Sequence, residues 1–191
     1  DPPGPKIRVS GISTFNENNG KWFSKKSIAI KGEDQLCLRK DGFKGNTANL
    51  PELDINTIPQ VSVSLPQIID DLQIGHRVFF DDGAIEAKVV SKSSESLQIS
   101  IINAYKGKLR PEKGINLPDT SLSLPSLTHE DLELLPFVGE HADVLGYSFV
   151  RKPEDVARLY VELQRLKITR CGIVFKIENN EAFENLPLIL F

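Results

Sequence analysis

Gly172-Ile-Val-Phe-Lys-Ile-Glu-Asn-Asn180 opens with four small or apolar residues and then turns charged at Lys176 and Glu178. An unbroken apolar run of this length reads as a fully buried strand, because a half-exposed one would alternate polar with apolar positions. Lys176 and Glu178 stand two residues apart, so on an extended chain their side chains leave on the same face. An ammonium and a carboxylate at the C-terminal end of a buried parallel strand sit where α/β barrels carry their chemistry. On these residues alone, a solvated ion pair at a strand end is the plainer reading.

Outward from this stretch, helix and strand alternate. Val144-Leu-Gly-Tyr-Ser-Phe-Val150 reads as a second buried strand. Pro153 follows at a helix first-turn position, with Glu154 and Asp155 complementing the helix dipole. Val156, Leu159, Tyr160, Leu163 and Leu166 then form one apolar stripe, which is core-facing. Thr128-His-Glu-Asp131 is a capping-box-like start for a helix to about His141, with Pro136 inside it as a potential kink. A further helix begins near Glu181. This is βαβ grammar and predicts a parallel sheet.

Before about Pro118 the grammar is different. Residues 5–9 read as a short strand and Gly11–Gly20 as a polar turn region. Ser27–Ile30, Gln35–Leu38, Gly75–Phe80, Ala84–Val90 and Ser96–Ala104 are strand candidates, and Leu50–Pro59 is irregular. Asp81-Asp82-Gly83 joins two of these runs, and Asp-Gly in that setting signals a hairpin. Many short strands suggest a small barrel or sandwich. The fold class is therefore α/β with an inserted all-β domain. Residues 1–10 are a barrel strand segment, 11–117 the insert, and 118–191 barrel βα segments. The chain lacks an initiating Met and stops inside the apolar pattern Leu186–Phe191, so it reads as a piece of a larger protein.

Composition narrows the function. The 191 residues carry a net charge of −3 with signs interspersed, so no basic stripe for nucleic acid or membrane surface is present. No apolar run reaches the roughly 20 residues of a membrane span. Cys37 and Cys171 are far apart and His76, His129 and His141 form no ligand pattern, which suits a reduced, cytoplasmic protein.

Asp1-x-x-Gly4-Pro5, Asp81-Asp82-Gly83, Ser148-Phe-Val-Arg151 and Lys176-Ile-Glu-Asn179, with further segments in the same order, resemble motifs of the pyruvate kinase family. Asp1-x-x-Gly4-Pro5-x-Ile7-Arg8 is similar to D-T-K-G-P-E-I-R, and Asp81-Asp82-Gly83-x-Ile85 to I-D-D-G-L-I. Lys113-Gly-Ile-Asn-Leu-Pro118 and Leu124-Pro-x-Leu-Thr128 resemble K-G-V-N-L-P and L-P-A-L-T. Ser148-Phe-Val-Arg151 and Lys176-Ile-Glu-Asn179 match S-F-V-R and K-I-E-N. The resemblance implies a partial (β/α)8 TIM barrel with a small mobile β-barrel lid, the B domain. It implies phosphoryl transfer from phosphoenolpyruvate to ADP, giving pyruvate and ATP in glycolysis, by a parent that is a homo-oligomer, tetrameric in the family. It does not imply activity for these residues alone, because the strands bearing the second metal-binding Asp lie outside them.

By the same resemblance, Lys176 is the catalytic cation and Glu178 a ligand of Mg2+ or Mn2+. Arg8, Asp82 and Lys113 are the nucleotide-side residues. Ser148 and Phe149 line the substrate pocket. Alternatives stay open for three of the residues in these segments. Asp82-Gly83 reads equally as a turn tolerating positive φ, Lys113 as a solvated strand-end charge, and Arg151 as a structural ion-pair partner. The chain departs from the pattern at Pro2-Pro3, in an enlarged region 36–60, and at Lys6, where potassium-requiring members have Glu. The resemblance ties a lysine there to independence from K+, with Asp1, a potassium ligand in relatives, as its counter-charge. A divergent relative with a regulatory or nucleotide-binding role and no activity is the alternative. A stand-alone β interaction module is a weaker one.

Overall fold

The alternation of Leu97, Ile99 and Ile101 builds the centre of the larger of two units, where all three side chains are buried. The computed structural model describes residues 1–40 and 58–191. Residues 41–57, which make up most of the expected irregular region 36–60, lie outside the described residues. One unit comprises Ile7–Ser123, the other Asp1–Lys6 with Leu124–Phe191.

In chain order the first unit contains β1 (Val9–Asn16), β2 (Lys21–Ser24), β3 (Ile28–Ala29), β4 (Gln35–Arg39) and β5 (Gln60–Val63). There follow α1 (Ile68–Asp71), β6 (Arg77–Phe80), β7 (Ile85–Lys92), β8 (Ser96–Ala104), β9 (Lys108–Leu109) and β10 (Ile115–Asn116). Eight strands form one sheet in the order β10-β6-β7-β8-β4-β5-β1-β2, and β3 pairs with β9. The pairs are antiparallel except β4–β5. The Asp81–Gly83 hairpin is present, with positive φ at all three residues, as a tight connection between right-twisted strands requires.

Two expectations are corrected here. Gly11–Asn16 is not a turn region but the body of β1, paired with β5 on one side and β2 on the other. Only Asn16–Gly20 turns, through Gly20 N–H donating to Asn16 O at 2.9 Å. Residues 5–9 are not a strand of the parallel sheet. Pro5 has no N–H for a ladder, and Arg8 makes an isolated antiparallel bridge to Gly114. Val9 N–H donates to Lys113 O at 2.9 Å and Ile115 N–H to Ile7 O at 2.8 Å. The approach to β1 is thereby stitched to the approach to β10, so strands near the two ends of the sheet meet.

The second unit holds α2 (His129–His141), β11 (Val144–Tyr147), α3 (Pro153–Arg165), β12 (Gly172–Phe175), α4 (Asn180–Glu184) and α5 (Leu186–Leu190). β11 and β12 are parallel, in register from Val144 with Gly172 to Tyr147 with Phe175. The α3 stripe buries Leu159 and Leu163 against Leu145, Tyr147 and Val150, with Val156 and Leu166 partly buried, whereas Tyr160, expected to face the core, is exposed. Thr128 and Asp131 complete the capping box of α2, with Pro136 accommodated within that helix. The reading of β12 as fully buried is corrected: Val174 is 53% exposed, while Ile173 and Phe175 pack against the core. A two-stranded sheet with helices on one face leaves the alternate residues uncovered. What the described strands and helices establish is an α/β unit. No described helix is long and apolar enough to cross a membrane.

Candidate active site

Tyr147 ends β11 with its side chain in the core and its phenol sharing a 2.7 Å hydrogen bond with Ser126. Burial pushes that phenol up to about 12, so it stays a neutral anchor for the strand end. Tyr147 O accepts from Lys176 N–H at 3.0 Å, which extends the parallel pairing one residue beyond β12. The two strand ends thus deliver Ser148 and Lys176 side by side. Lys176 Nζ donates to Ser148 Oγ at 3.1 Å and lies 3.0 Å from Glu178 Oε1. The same-face placement expected of Lys176 and Glu178 is the one observed.

Phe149 sits at φ +62°, a left-handed conformation uncommon for a bulky residue. In that pose its N–H donates to Glu178 Oε2 at 3.2 Å, so each oxygen of Glu178 has a donor. A close approach of Gly4 helps hold it: a Cβ built on Gly4 would lie 3.1 Å from Phe149 Cβ, and Gly4 itself has φ +64°. Strained backbone at a charged cluster is characteristic of binding and catalytic sites. Asn179 caps α4 through Ala182 N–H at 2.8 Å and donates to Val150 O, which fixes the chain after Glu178.

Asp1 completes the cluster. Its Oδ2 lies 3.9 Å from Lys176 Nζ, and its carboxylate occupies the space that a side chain on Gly146 would fill. Lys176 therefore stands between two carboxylates and a hydroxyl, one-third exposed. The ion pair described for Asp1 is with Lys176. Lys6 is exposed in the same unit. Arg151 is buried, donates to Leu124 O and lies 3.9 Å from Asp155, with its guanidinium 5.8 Å from the Phe149 ring. That is the structural role left open for it.

As a metal site, the cluster offers one well-oriented hard oxygen donor in Glu178. Among the described residues no group of three His, Cys, Asp or Glu side chains comes together. Mg2+ keeps several waters and is held by one or two carboxylates plus substrate phosphates, so Glu178 suits part of such a site. Any further donors would have to come from water, substrate or protein outside these residues.

Arg8, Asp82 and Lys113, expected by resemblance on the nucleotide side, lie in the larger, mostly β unit. Lys113 Nζ donates to Asp81 Oδ1 at 2.8 Å, and Arg8 Nη1 to Glu112 O at 2.8 Å. Asp82 is exposed at the hairpin tip. Sequence reasoning singled out Asp82, whereas the carboxylate that gathers cations is its neighbour Asp81.

Asp131 was legible only as a cap. The structure gives it a second task, since its buried carboxylate accepts from Thr128 N–H at 2.9 Å, Thr128 Oγ1 at 2.7 Å and Gly4 N–H at 3.2 Å. It ties the segment bearing Asp1 to the start of α2. Asp131→Ala would orphan these three donors, and we expect about 2 kcal/mol of lost stability in this unit. Urea unfolding measures that loss, and no change beyond ~0.5 kcal/mol would show that the segment is held by other means.

A family model described as "Pyruvate kinase, barrel domain" matches residues 2–191. Proteins named pyruvate kinase from Staphylococcus aureus strains USA300, NCTC 8325 / PS 47 and COL are each 33% identical over 159 residues. The match takes in 79% of this chain and 27% of each relative, so the chain spans about a quarter of the length of these relatives.

Proposed function

The chain belongs to the pyruvate kinase family, and from that premise we propose that its intact parent transfers the phosphoryl group of phosphoenolpyruvate to ADP. The observation that carries the reading is the Lys176 ammonium, held by Ser148 and Glu178 at the ends of two parallel strands. In this transfer the bond from phosphorus to the enol oxygen breaks and one to the terminal phosphate oxygen of ADP forms. The enolate left behind takes a proton to become pyruvate. Negative charge is redistributed among oxygens throughout, so electrostatic placement matters more than covalent chemistry.

Lys176 brings a fixed positive charge to the oxygen that becomes anionic as the bond breaks. Ser148 and the main-chain pairing hold the ammonium in place, so that little reorganisation is needed at the moment of reaction. Glu178 is oriented by Phe149 N–H and would hold Mg2+ or Mn2+, which supplies further neutralisation of phosphoryl and enolate oxygens when bound. Phe149 and Ser148 are proposed to line the substrate pocket. Arg8, Asp82 and Lys113 are proposed for the nucleotide's phosphates and their metal. By the same family premise the parent acts in the cytoplasm as a homo-oligomer.

The reading is tested by assaying the intact parent for pyruvate formed from phosphoenolpyruvate and ADP with Mg2+. Absence of turnover alongside retained nucleotide binding would favour the regulatory alternative. Glu178→Gln keeps the shape but loses one anionic ligand, so we expect the Mg2+ concentration for half-maximal activity to rise about tenfold. An unchanged Mg2+ dependence would remove Glu178 from the metal site.

A further inference from the structure

Asp81 does not hold Lys113 alone. Lys106 Nζ donates to its other oxygen, Oδ2, at 3.1 Å, while Lys113 takes Oδ1 at 2.8 Å. The carboxylate is 13% exposed, against 65% for Lys106 and 39% for Lys113. One shielded carboxylate thus carries two ammonium groups that open to solvent, one on each oxygen.

The main chain brings the three residues together. Lys106 and Tyr105 N–H groups both donate to Ala84 O, at 3.3 and 2.9 Å, and Ala84 N–H donates to Asp81 O at 3.1 Å. Asp81 N–H donates to Gly114 O at 3.0 Å, beside Lys113. The 81–84 hairpin and the loops carrying Lys106 and Lys113 are therefore stitched by backbone bonds, so the meeting of the side chains is set by the fold. Lys113 foremost, then Lys106, holds the Asp81 carboxyl below the usual carboxylate range.

An ion pair to a lysine as exposed as Lys106 adds little to stability. Two ammonium groups spaced by a single carboxylate are, however, already at the separation needed to grip two oxygens of one phosphate. We propose that Lys106 and Lys113 form a two-lysine clamp for a nucleotide's terminal phosphate, with Asp81 as the anion that parks them when no phosphate is bound. The proposal rests on the nucleotide-side reading of Lys113 and adds Lys106 as a phosphate ligand and Asp81 as its competitor. Lys106 passed unnoticed in the sequence because it lies seven residues before Lys113 with no spacing that links them. Their link is the Asp81 hairpin.

The test uses the intact parent and its Lys106→Ala, Lys106→Arg and Asp81→Asn variants. Calorimetric titration with ADP and with inorganic pyrophosphate is combined with saturation kinetics. Lys106→Ala should weaken both ligands about fivefold to tenfold, the loss of one exposed charge-assisted hydrogen bond. It should leave the KM for phosphoenolpyruvate within about twofold, since uniform loss of one nucleotide contact shifts only that ligand. Lys106→Arg should restore binding, because the charge returns. Asp81→Asn keeps a side chain that tolerates positive φ and should tighten pyrophosphate at least about threefold by removing the competing anion. Unchanged pyrophosphate affinity in Lys106→Ala, or weakened affinity in Asp81→Asn, would overturn the clamp and leave a structural ion pair. A wild type that binds both ligands without turnover would defeat the proposed reaction, and the titrations would still decide the clamp. A wild type that binds neither ligand defeats the clamp as well.

Discussion

Replacing Lys176 with alanine in the intact parent should lower turnover by about 10²–10³-fold, the usual consequence of removing one preorganised electrostatic donor. The KM for phosphoenolpyruvate should move far less, because the enol oxygen gains most of its charge only as the phosphoryl group departs. The geometry sharpens the expectation. Lys176 is the cation between Glu178 at 3.0 Å and Asp1 at 3.9 Å, so its loss leaves two carboxylates without the ammonium between them. A transition state gaining negative charge there meets repulsion as well as a missing attraction. Stability should barely respond, since the pair is substantially exposed. Single-turnover measurements separate the chemical step from binding. Turnover within about threefold of wild type, under ~1 kcal/mol of barrier, would reduce Lys176 to an ordinary strand-end lysine.

Why this cluster could be read from the sequence, and the rest less well, follows from the range over which each feature is specified. Lys176 and Glu178 are two residues apart, and a period of two in extended chain is local geometry. Their shared face was therefore legible without a structure. The stripe on α3, apart from the exposed Tyr160, and the cap at Thr128 were legible for the same reason. β1 was not. Gly11-Ile-Ser-Thr-Phe-Asn16 is strand because β2 and β5 lie on either side of it, a pairing partly across more than 40 residues. Its Gly, Ser and Asn content pointed the other way, and tertiary pairing overrode propensity. Residues 5–9 failed in the opposite sense, since the segment looked like a strand of the barrel while its main-chain bonds go to Ser64 and to residues 112–115.

The side-chain partnerships show the same division. Asp131 was visible as a cap through Thr128, three residues away, but its bond to Gly4 spans 127 positions. The resemblance carried Asp82 to the nucleotide side and gave Asp81 no role. In the structure the tip residue is exposed to solvent while Asp81 meets Lys106 and Lys113. Non-local contacts of this kind leave no period in the sequence.

Lys6 gives the second large effect. We expect the intact parent to need Mg2+ or Mn2+ yet work at full rate without potassium, and Lys6→Glu to lose at least about a hundredfold of its potassium-free turnover. A tethered ammonium supplies a monovalent charge where Glu-bearing relatives are expected to use a bound ion. Two such cations about 4 Å apart would repel by about 4 kcal/mol at an effective dielectric of ~20, so lysine and potassium should exclude one another. The variant inverts this balance. The introduced carboxylate replaces the tethered ammonium with an anion, which would call for a cation. Pro2 removes an N–H but keeps its carbonyl, so it need not obstruct that ion. The decisive measurement is turnover in potassium-free buffer balanced with tetramethylammonium, before and after adding K+. Rescue of Lys6→Glu by K+, with wild type indifferent, is the expected pattern. A wild type that is silent without K+ and revived by it would return Asp1 to the role of potassium ligand and leave Lys6 an exposed surface charge.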